Sequence, residues 1–450
     1  MTRTTMIKTL VLGSVLLLAA CEDREVIFEG KRESLRSPDP EVVGEAQAAR
    51  FVSDEAAAKE NRSVAVATGA PRSLSSWPQR AGGASHALGN LAFSAAPQVI
   101  FSVDVGAGSD RKQRVLAEPI VAEGRVFTMD AQSQVVAHST VGAALWMRPL
   151  TPSSDKPTDA SSGGLAYSAG RIFATTGFGE LVALDAASGA PIWTQRFDAP
   201  VSGAPSVAGG DVYVLTKDNR LVSVDAASGR VNWDLDGTPA RPGVLGYASP
   251  AVSGGTVITP FSIGTVVGVK ASDGTPTWAV PVAGKRSGRA YANVNELSGE
   301  PVVVGSTVYV GSAAGTSAAM STKGDLKWTS PDGAMGAMTV VGGSVFMVSD
   351  NLQLVRLNAT SGKRIWAVDL PGYEKDKPRR RKSVYQSYGP TLAGGRLWVA
   401  SSDGYLRAFD PASGALISAV ELPAGAASRP VIVGGVAYIA TVKGTLVALR

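Results

Sequence analysis

Residues 168–193 read SAGRIFATTGFGELVALDAASGAPIW, and residues 207–233 read VAGGDVYVLTKDNRLVSVDAASGRVNW. Each stretch predicts three short strands joined by two hairpins, then an Asp-x-x-x-Gly-x-x-x-Trp turn into a fourth strand. The turn residues are Asp185, Gly189 and Trp193 in one copy and Asp225, Gly229 and Trp233 in the other. The shared letters have physical jobs. Glycine takes a positive φ without a Cβ penalty, aspartate bonds the amides of its own turn, and tryptophan offers a broad flat surface between neighbouring units. Runs such as Val-Tyr-Val and Leu-Val-Ala-Leu are nearly continuous apolar stretches, as inner strands buried on both faces require.

The same frame continues in both directions. Gly142 and Trp146 end an earlier copy; Gly274 and Trp278, Gly324 and Trp328, and Gly362 and Trp366 end three later ones. The next, residues 394–418, keeps Asp410 and Gly414 but has Ser418 where tryptophan belongs, and the last, residues 433–450, stops before a fourth strand. Successive tryptophans lie 47, 40, 45, 50 and 38 residues apart, and Trp366 to Ser418 is 52. Such spacing fits propeller blades of about 40 to 45 residues with variable loops. The strand missing from the last copy is expected from residues 97–105, PQVIFSVDV, with Phe101 in the tryptophan place. The fold class read from the repeat is therefore all-β: an eight-bladed propeller of four-stranded antiparallel blades, closed by an N-terminal strand. A seven-bladed ring with a degenerate last unit is the alternative, disfavoured by the good match of VALR and its preceding Gly-Gly hairpin.

Composition agrees with a turn-rich β protein. The 450 residues include 51 glycines and 26 prolines, with 18% charged and 6% aromatic residues. The 44% hydrophobic content excludes wholesale disorder, and frequent glycines interrupt every candidate membrane span. One cysteine excludes a disulfide framework or a Cys-cluster metal site, and two histidines leave little for His-based chemistry. No Gly-x-Ser-x-Gly elbow, phosphate-binding Gly-Lys-Ser/Thr loop or His-Glu-x-x-His helix occurs, so neither enzyme activity, cofactor nor metal is expected. Of the net charge of +5, Arg3 and Lys8 supply two, and the remainder is no nucleic-acid footprint.

Those two cations precede an apolar run, Thr9 to Ala20, too short to span a bilayer. A basic start, a short apolar core and small residues at the exit are the parts of a secretory signal. Leu18-Ala19-Ala20-Cys21 resembles a bacterial lipobox, in which the Cys21 thiol takes a diacylglycerol before cleavage and the freed amine is then acylated. Several acyl chains make a stable anchor where one would not. Residues 1–20 are accordingly expected as signal peptide. Residues 21–76 are expected as a tether in which Ala- and Glu-rich 41–60 could form one helix, and residues 77–450 as the propeller. Residue 22 is Glu, without the Asp that retains lipoproteins in the inner membrane; the resemblance implies the periplasmic face of the outer membrane.

LVALDAASGAPIW resembles the PQQ-type propeller repeat. With a lipobox, one propeller and the segment 292–305, ANVNELSGEPVVVG, the chain resembles the BamB family of outer-membrane β-barrel assembly lipoproteins over residues 77–450. The resemblance implies a non-enzymatic scaffold that docks on a periplasmic POTRA domain of BamA, alongside other assembly lipoproteins, and helps nascent outer-membrane proteins reach the barrel. It also implies docking through the loops before the fourth and fifth repeats. The first contains Arg241, Val244 and Leu245, the second Arg289, Asn293, Asn295 and Glu296. Val244 and Leu245 are the expected apolar anchors and the others the polar partners. The family pattern has a second acid separated from the first by one residue, and Ser298 stands there. A PQQ-dependent quinoprotein or a periplasmic ligand-binding propeller are the alternatives. The run EKDKPRRRK at 374–382 reads as a solvated loop, or as a patch for anionic lipid headgroups or an acidic partner. His86 and His138 read as structural.

Overall fold

A computed structural model describes residues 61–201, 203–238, 248–282, 297–375 and 377–450. Among these residues, strands form eight four-stranded antiparallel sheets, each a blade. Blades 1 to 7 are contiguous: residues 120–149, 162–196, 206–236, 251–281, 302–330, 339–369 and 387–421. Blade 8 takes three strands from residues 431–449 and its outermost from Val99–Asp104, which pairs antiparallel with Thr445–Leu449. Phe101 sits opposite Ala448, and Gln98 and Arg450 exchange backbone bonds of 2.8 and 2.9 Å. The expected eight-bladed closure is therefore what the chain adopts.

Side-chain size repeats across the strands. The second, third and fourth strands of a blade align Phe127–Ala137–Trp146, Phe173–Ala183–Trp193, Tyr213–Ser223–Trp233, Ile258–Gly268–Trp278 and Tyr309–Ala319–Trp328. A small central residue lets the flanking rings meet, 5.8–6.1 Å between centroids where both are aromatic in these blades. Blade 8 keeps the row as Tyr438–Ala448–Phe101. Blade 6 breaks it with Phe346–Arg356–Trp366.

The tryptophan then joins its blade to the next. Each indole lies under the turn glycine that follows: Trp146 under Gly189, Trp193 under Gly229, and so on to Trp366 under Gly414. Its Nε1 donates to a carbonyl of that next blade at 2.9–3.3 Å. At Gly229 φ is +76°, and a Cβ would stand 2.6 Å from the Trp193 ring, so the joint needs glycine for both backbone and space. Between blades 8 and 1, Phe101 keeps the stack on Gly142 without an N–H to donate. Between blades 7 and 8 the device is missing: blade 8 takes its outermost strand from Val99–Asp104, so no third-to-fourth-strand turn is there to receive an indole, and Ser418 stands in its place.

Residues 61–76, read from the sequence as tether, lie against the ring. Asn61 exchanges two bonds with the backbone of Ala367, and Val64 N donates to Ala412 O. Arg356 replaces the usual small residue to hold this strand: its guanidinium donates to the carbonyls of Val64 and Ala65, and to Pro411 and Ala412 of blade 7. From Leu74 to Leu91 the chain runs along the inner strands like a plug. It meets Gly434, Val121, Tyr167, Val207, Val252, Val303 and Leu392 of blades 8, 1, 2, 3, 4, 5 and 7 in turn. It kinks at Arg80–Gly82, where Ala81 has φ +52° and Gly82 φ +87°. Trp77 is fully buried. This segment lacks period-2 patterning because its amides are satisfied by other strands, not by a hairpin of its own. The helix considered for residues 41–60, Cys21 and the signal segment lie outside the described residues.

Candidate functional site

The two faces of the ring differ by construction. The Gly-Gly hairpins and the Asp-x-x-x-Gly turns close on one face, where Ala186 N bonds Gly170 O and Ala226 N bonds Gly210 O. Connections from each outermost strand to the next innermost one leave from the opposite, loop face, beside the second-to-third hairpins: Phe197 N bonds Gly179 O, and Val282 N bonds Gly264 O. The plug covers the hairpin face. The segments expected to dock belong to connections on the loop face.

All seven expected docking residues, Arg241, Val244, Leu245, Arg289, Asn293, Asn295 and Glu296, lie outside the described residues. Their stems are described and are tightly held. Asn219 Nδ2 donates to Thr238 O at 2.7 Å, while its Oδ1 accepts from Ser262 N and Oγ at 2.9 and 3.0 Å, so one side chain ties the exit of blade 3 to a hairpin of blade 4. Gly237 N bonds Asn219 O, and a Cβ on Gly237 would meet the Phe261 ring at 2.8 Å. On the second connection, Leu297 is buried with Val280 and Val282, and Ser298 Oγ donates to Ala334 O at 2.7 Å. Ser298, standing where the family pattern has an acid, is thus used to hold blade 5 to blade 6.

A charged axial recess was not among the sequence expectations. Arg80, Glu118, Glu300, Tyr388 and Arg429 line about 510 Å³ of space, part of it open solvent, just before the inner strands begin. Arg80 pairs with Glu300. Glu118 Oε1 accepts from Trp77 Nε1 at 2.7 Å and from Ala81 N at 3.0 Å. Arg429 donates to Pro390 O at 2.6 Å and Thr391 Oγ1 at 3.3 Å. Burial pushes the Glu118 carboxyl up, against the pull of Arg429 and Arg80. Burial would raise Glu300 too, but Arg80, His86 and Arg429 together take it below the ordinary carboxylate range. Burial opposes the charge on Arg80, and Glu300 with Glu118 outweighs it. His86 is held below its ordinary value, chiefly by burial, with Nδ1 2.8 Å from Pro301 O.

Two cations balance two carboxylates, and each carboxylate binds a residue of the plug. Glu118 precedes blade 1 and Glu300 precedes blade 5, which stand opposite each other in the ring. The arrangement locks the plug across the axis. Among the described residues no three His, Cys, Asp or Glu side chains converge as a metal site. His138 is also buried, in the third strand of blade 1. The sequence signal for this lock was faint: isolated charged residues beside inner strands, as in SGEPVVV and SRPVIV.

The family model described as "Outer membrane protein assembly factor BamB" matches residues 131–368 and 353–450. The outer membrane protein assembly factor BamB of Shewanella oneidensis is 23% identical over 361 residues, covering 78% of this chain and 88% of that one. Its namesake from Escherichia coli is 26% identical over 363 residues, with the same coverages. The crystal structure of BamB from Moraxella catarrhalis superposes with a TM-score of 0.65 at 18% identity, covering 79% of this chain and 100% of that one. A quinohemoprotein alcohol dehydrogenase from Comamonas testosteroni reaches 0.63 at 15% identity over 83% and 80% of the two chains, a likeness of fold alone. Matched from within blade 1 to the last strand of blade 8 by a family of assembly factors and not of enzymes, the chain belongs to the BamB family of outer membrane protein assembly factors.

Proposed function

We propose that this protein is a non-enzymatic scaffold of the outer-membrane β-barrel assembly machinery. Lipid on Cys21 holds it at the periplasmic face of the outer membrane, and its loop face docks on a POTRA domain of BamA to help nascent outer-membrane proteins reach the barrel. The observation that carries the reading is the family match along the blades. The geometry supports the choice of face: the hairpin face is taken up by the plug, whereas the connections bearing 239–247 and 283–296 leave the loop face from stems fixed by Asn219, Leu297 and Ser298.

Val244 and Leu245 serve as apolar anchors, with Arg241, Arg289, Asn293, Asn295 and Glu296 as the polar rim. Such a division suits an interface in which a few buried anchors carry the binding while rim charges set orientation. The quinoprotein alternative draws on fold likeness alone.

The test is capture from detergent-solubilised envelopes with the full chain as bait, read by mass spectrometry. BamA and its companion lipoproteins should be enriched over a bait carrying Leu245→Asp with Glu296→Arg. Equal recovery of BamA by both baits would remove this docking face, and recovery of none by either would remove the scaffold reading.

A further inference from the structure

The loop-face connection from blade 6 to blade 7, residues 370–386, is a finger with a built stalk. Tyr373 and Val384 form an antiparallel bridge, Glu374 N donates to Ser383 O at 3.1 Å, and Tyr385 N donates to Gly372 O at 2.8 Å. Ser383 Oγ donates to Glu374 Oε2 at 2.5 Å, which occupies that carboxylate within the stalk. The tip turns at Pro378–Arg380, where Arg380 N donates to Lys377 O at 2.7 Å. Lys375, Lys377, Arg379, Arg380, Arg381 and Lys382 are all exposed there. Arg381 lies over the Tyr373 ring, 5.0 Å from its centroid, and that ring is itself 43% exposed.

A second basic run stands on the same face. Arg111, Lys112 and Arg114 are exposed on the connection into blade 1, beside the hairpin that carries Lys443, since Ser109 N donates to Val442 O. The acid within this run, Asp110, accepts from its own turn amides at Lys112 and Gln113. Positive charge therefore gathers over the sector from blade 6 round to blade 1, away from the stems at blades 3 to 5.

We propose that this basic finger rests on an anionic phospholipid surface and sets which side of the ring faces the bilayer. Three features favour a bilayer over a protein partner. Apart from the Pro378 ring, no aliphatic side chain lies between Glu374 and Ser383 to form a desolvated interface centre, and lysine is depleted at protein interface cores. Long cationic side chains without a shaped pocket suit phosphates that rearrange in a fluid plane. The one exposed aromatic is tyrosine, a ring at home at headgroup depth. The inference goes beyond the docking reading but rests on it for location: acyl chains on Cys21 would supply the anchor, and the finger would supply orientation.

The experiment uses the full chain carrying Cys21→Ala, so that acyl chains do not mask the effect. It compares sedimentation with phosphatidylcholine vesicles alone and with vesicles containing about 30 mol% phosphatidylglycerol, at low and raised salt. Binding should require phosphatidylglycerol and weaken with salt. Adding Arg379→Ala, Arg380→Ala and Lys382→Ala should weaken it about 100-fold, with an unchanged thermal melt. Equal binding to both vesicle types, or a triple variant that binds as the parent does, would overturn the proposal. So would loss of an acidic protein from envelope capture in the triple variant with vesicle binding intact, which would assign the finger to a protein. The vesicles hold no assembly machinery, so failure here leaves the docking reading standing, and failure of BamA capture leaves this one standing.

Discussion

The hairpin face and the loop face are made by the same repeat and have opposite characters. On the hairpin face, turns are short, glycines take left-handed conformations, and the chain from Leu74 to Leu91 fills the mouth with bonds to successive inner strands. On the loop face the connections vary in length, and they carry both the stems of the expected docking segments and the basic finger. On the proposed reading, closure and contact are divided between faces. The division teaches where substitutions should act: on the hairpin face and at the blade joints they should cost stability, and on the loop face they should cost partners.

The largest effect should come from removing residues 1–106, which deletes both the plug and the strand Val99–Asp104. Blade 8 would lose its outer strand and leave an open edge at the seam. We expect no cooperative melt by circular dichroism, whereas a chain beginning at Asn61 should melt as the parent does. Next come single joints and plug anchors. Trp193→Ala at a blade joint, or Trp77→Ala in the plug, each deletes a large packed side chain and should cost about 3–5 kcal/mol in denaturant unfolding. A Trp193→Ala cost near zero would show that the indole-under-glycine joint does not hold blades together.

Arg356→Ala sharpens the contrast, because it restores the small residue found at this position in most blades while removing the bonds to Val64 and Ala65. The ring should hold, at a cost of about 1–2 kcal/mol, while residues 61–66 become cleavable by protease. Protection equal to the parent's would show that the guanidinium does not hold this strand down. The smallest effect is in the pH dependence. Folding depresses the pKa of His86, so the unfolded chain takes up its proton first. That contribution to stability is present above the ordinary value of 6.5 and is lost as pH falls from there through the lower folded value. His86→Asn should therefore flatten the decline in melting temperature between about pH 7.5 and about pH 5.5. An unchanged slope would mean that the imidazole is not held neutral in the fold.

Much of the ring was legible in the sequence because its devices are local. Gly189, Trp193 and their counterparts recur at blade spacing, and PQVIFSVDV has the fourth-strand pattern, so blade number and closure followed from the letters alone. Residues 61–91 were not legible as part of the ring, since they have no repeat and no period, and their bonds go to residues up to hundreds of positions away. The lock made by Arg80, Glu118, Glu300 and Arg429 was hidden for the same reason: four blades of curvature separate Glu118 from Glu300, and only closure of the ring brings them to one axis. The Ser418 exception was visible as a missing tryptophan, but its reason, an absent turn in blade 8, needed the ring order.

The division between faces is tested most directly by crossing the two kinds of variant in one capture experiment from solubilised envelopes. The full chain with Trp77→Ala should melt at lower temperature yet recover BamA as the parent does, at a temperature where it is folded. The full chain with Leu245→Asp and Glu296→Arg should melt within a few degrees of the parent and recover none. Loss of BamA with the folded Trp77→Ala protein, together with its retention by the loop-face variant, would contradict the account by placing the docking surface on the plugged side.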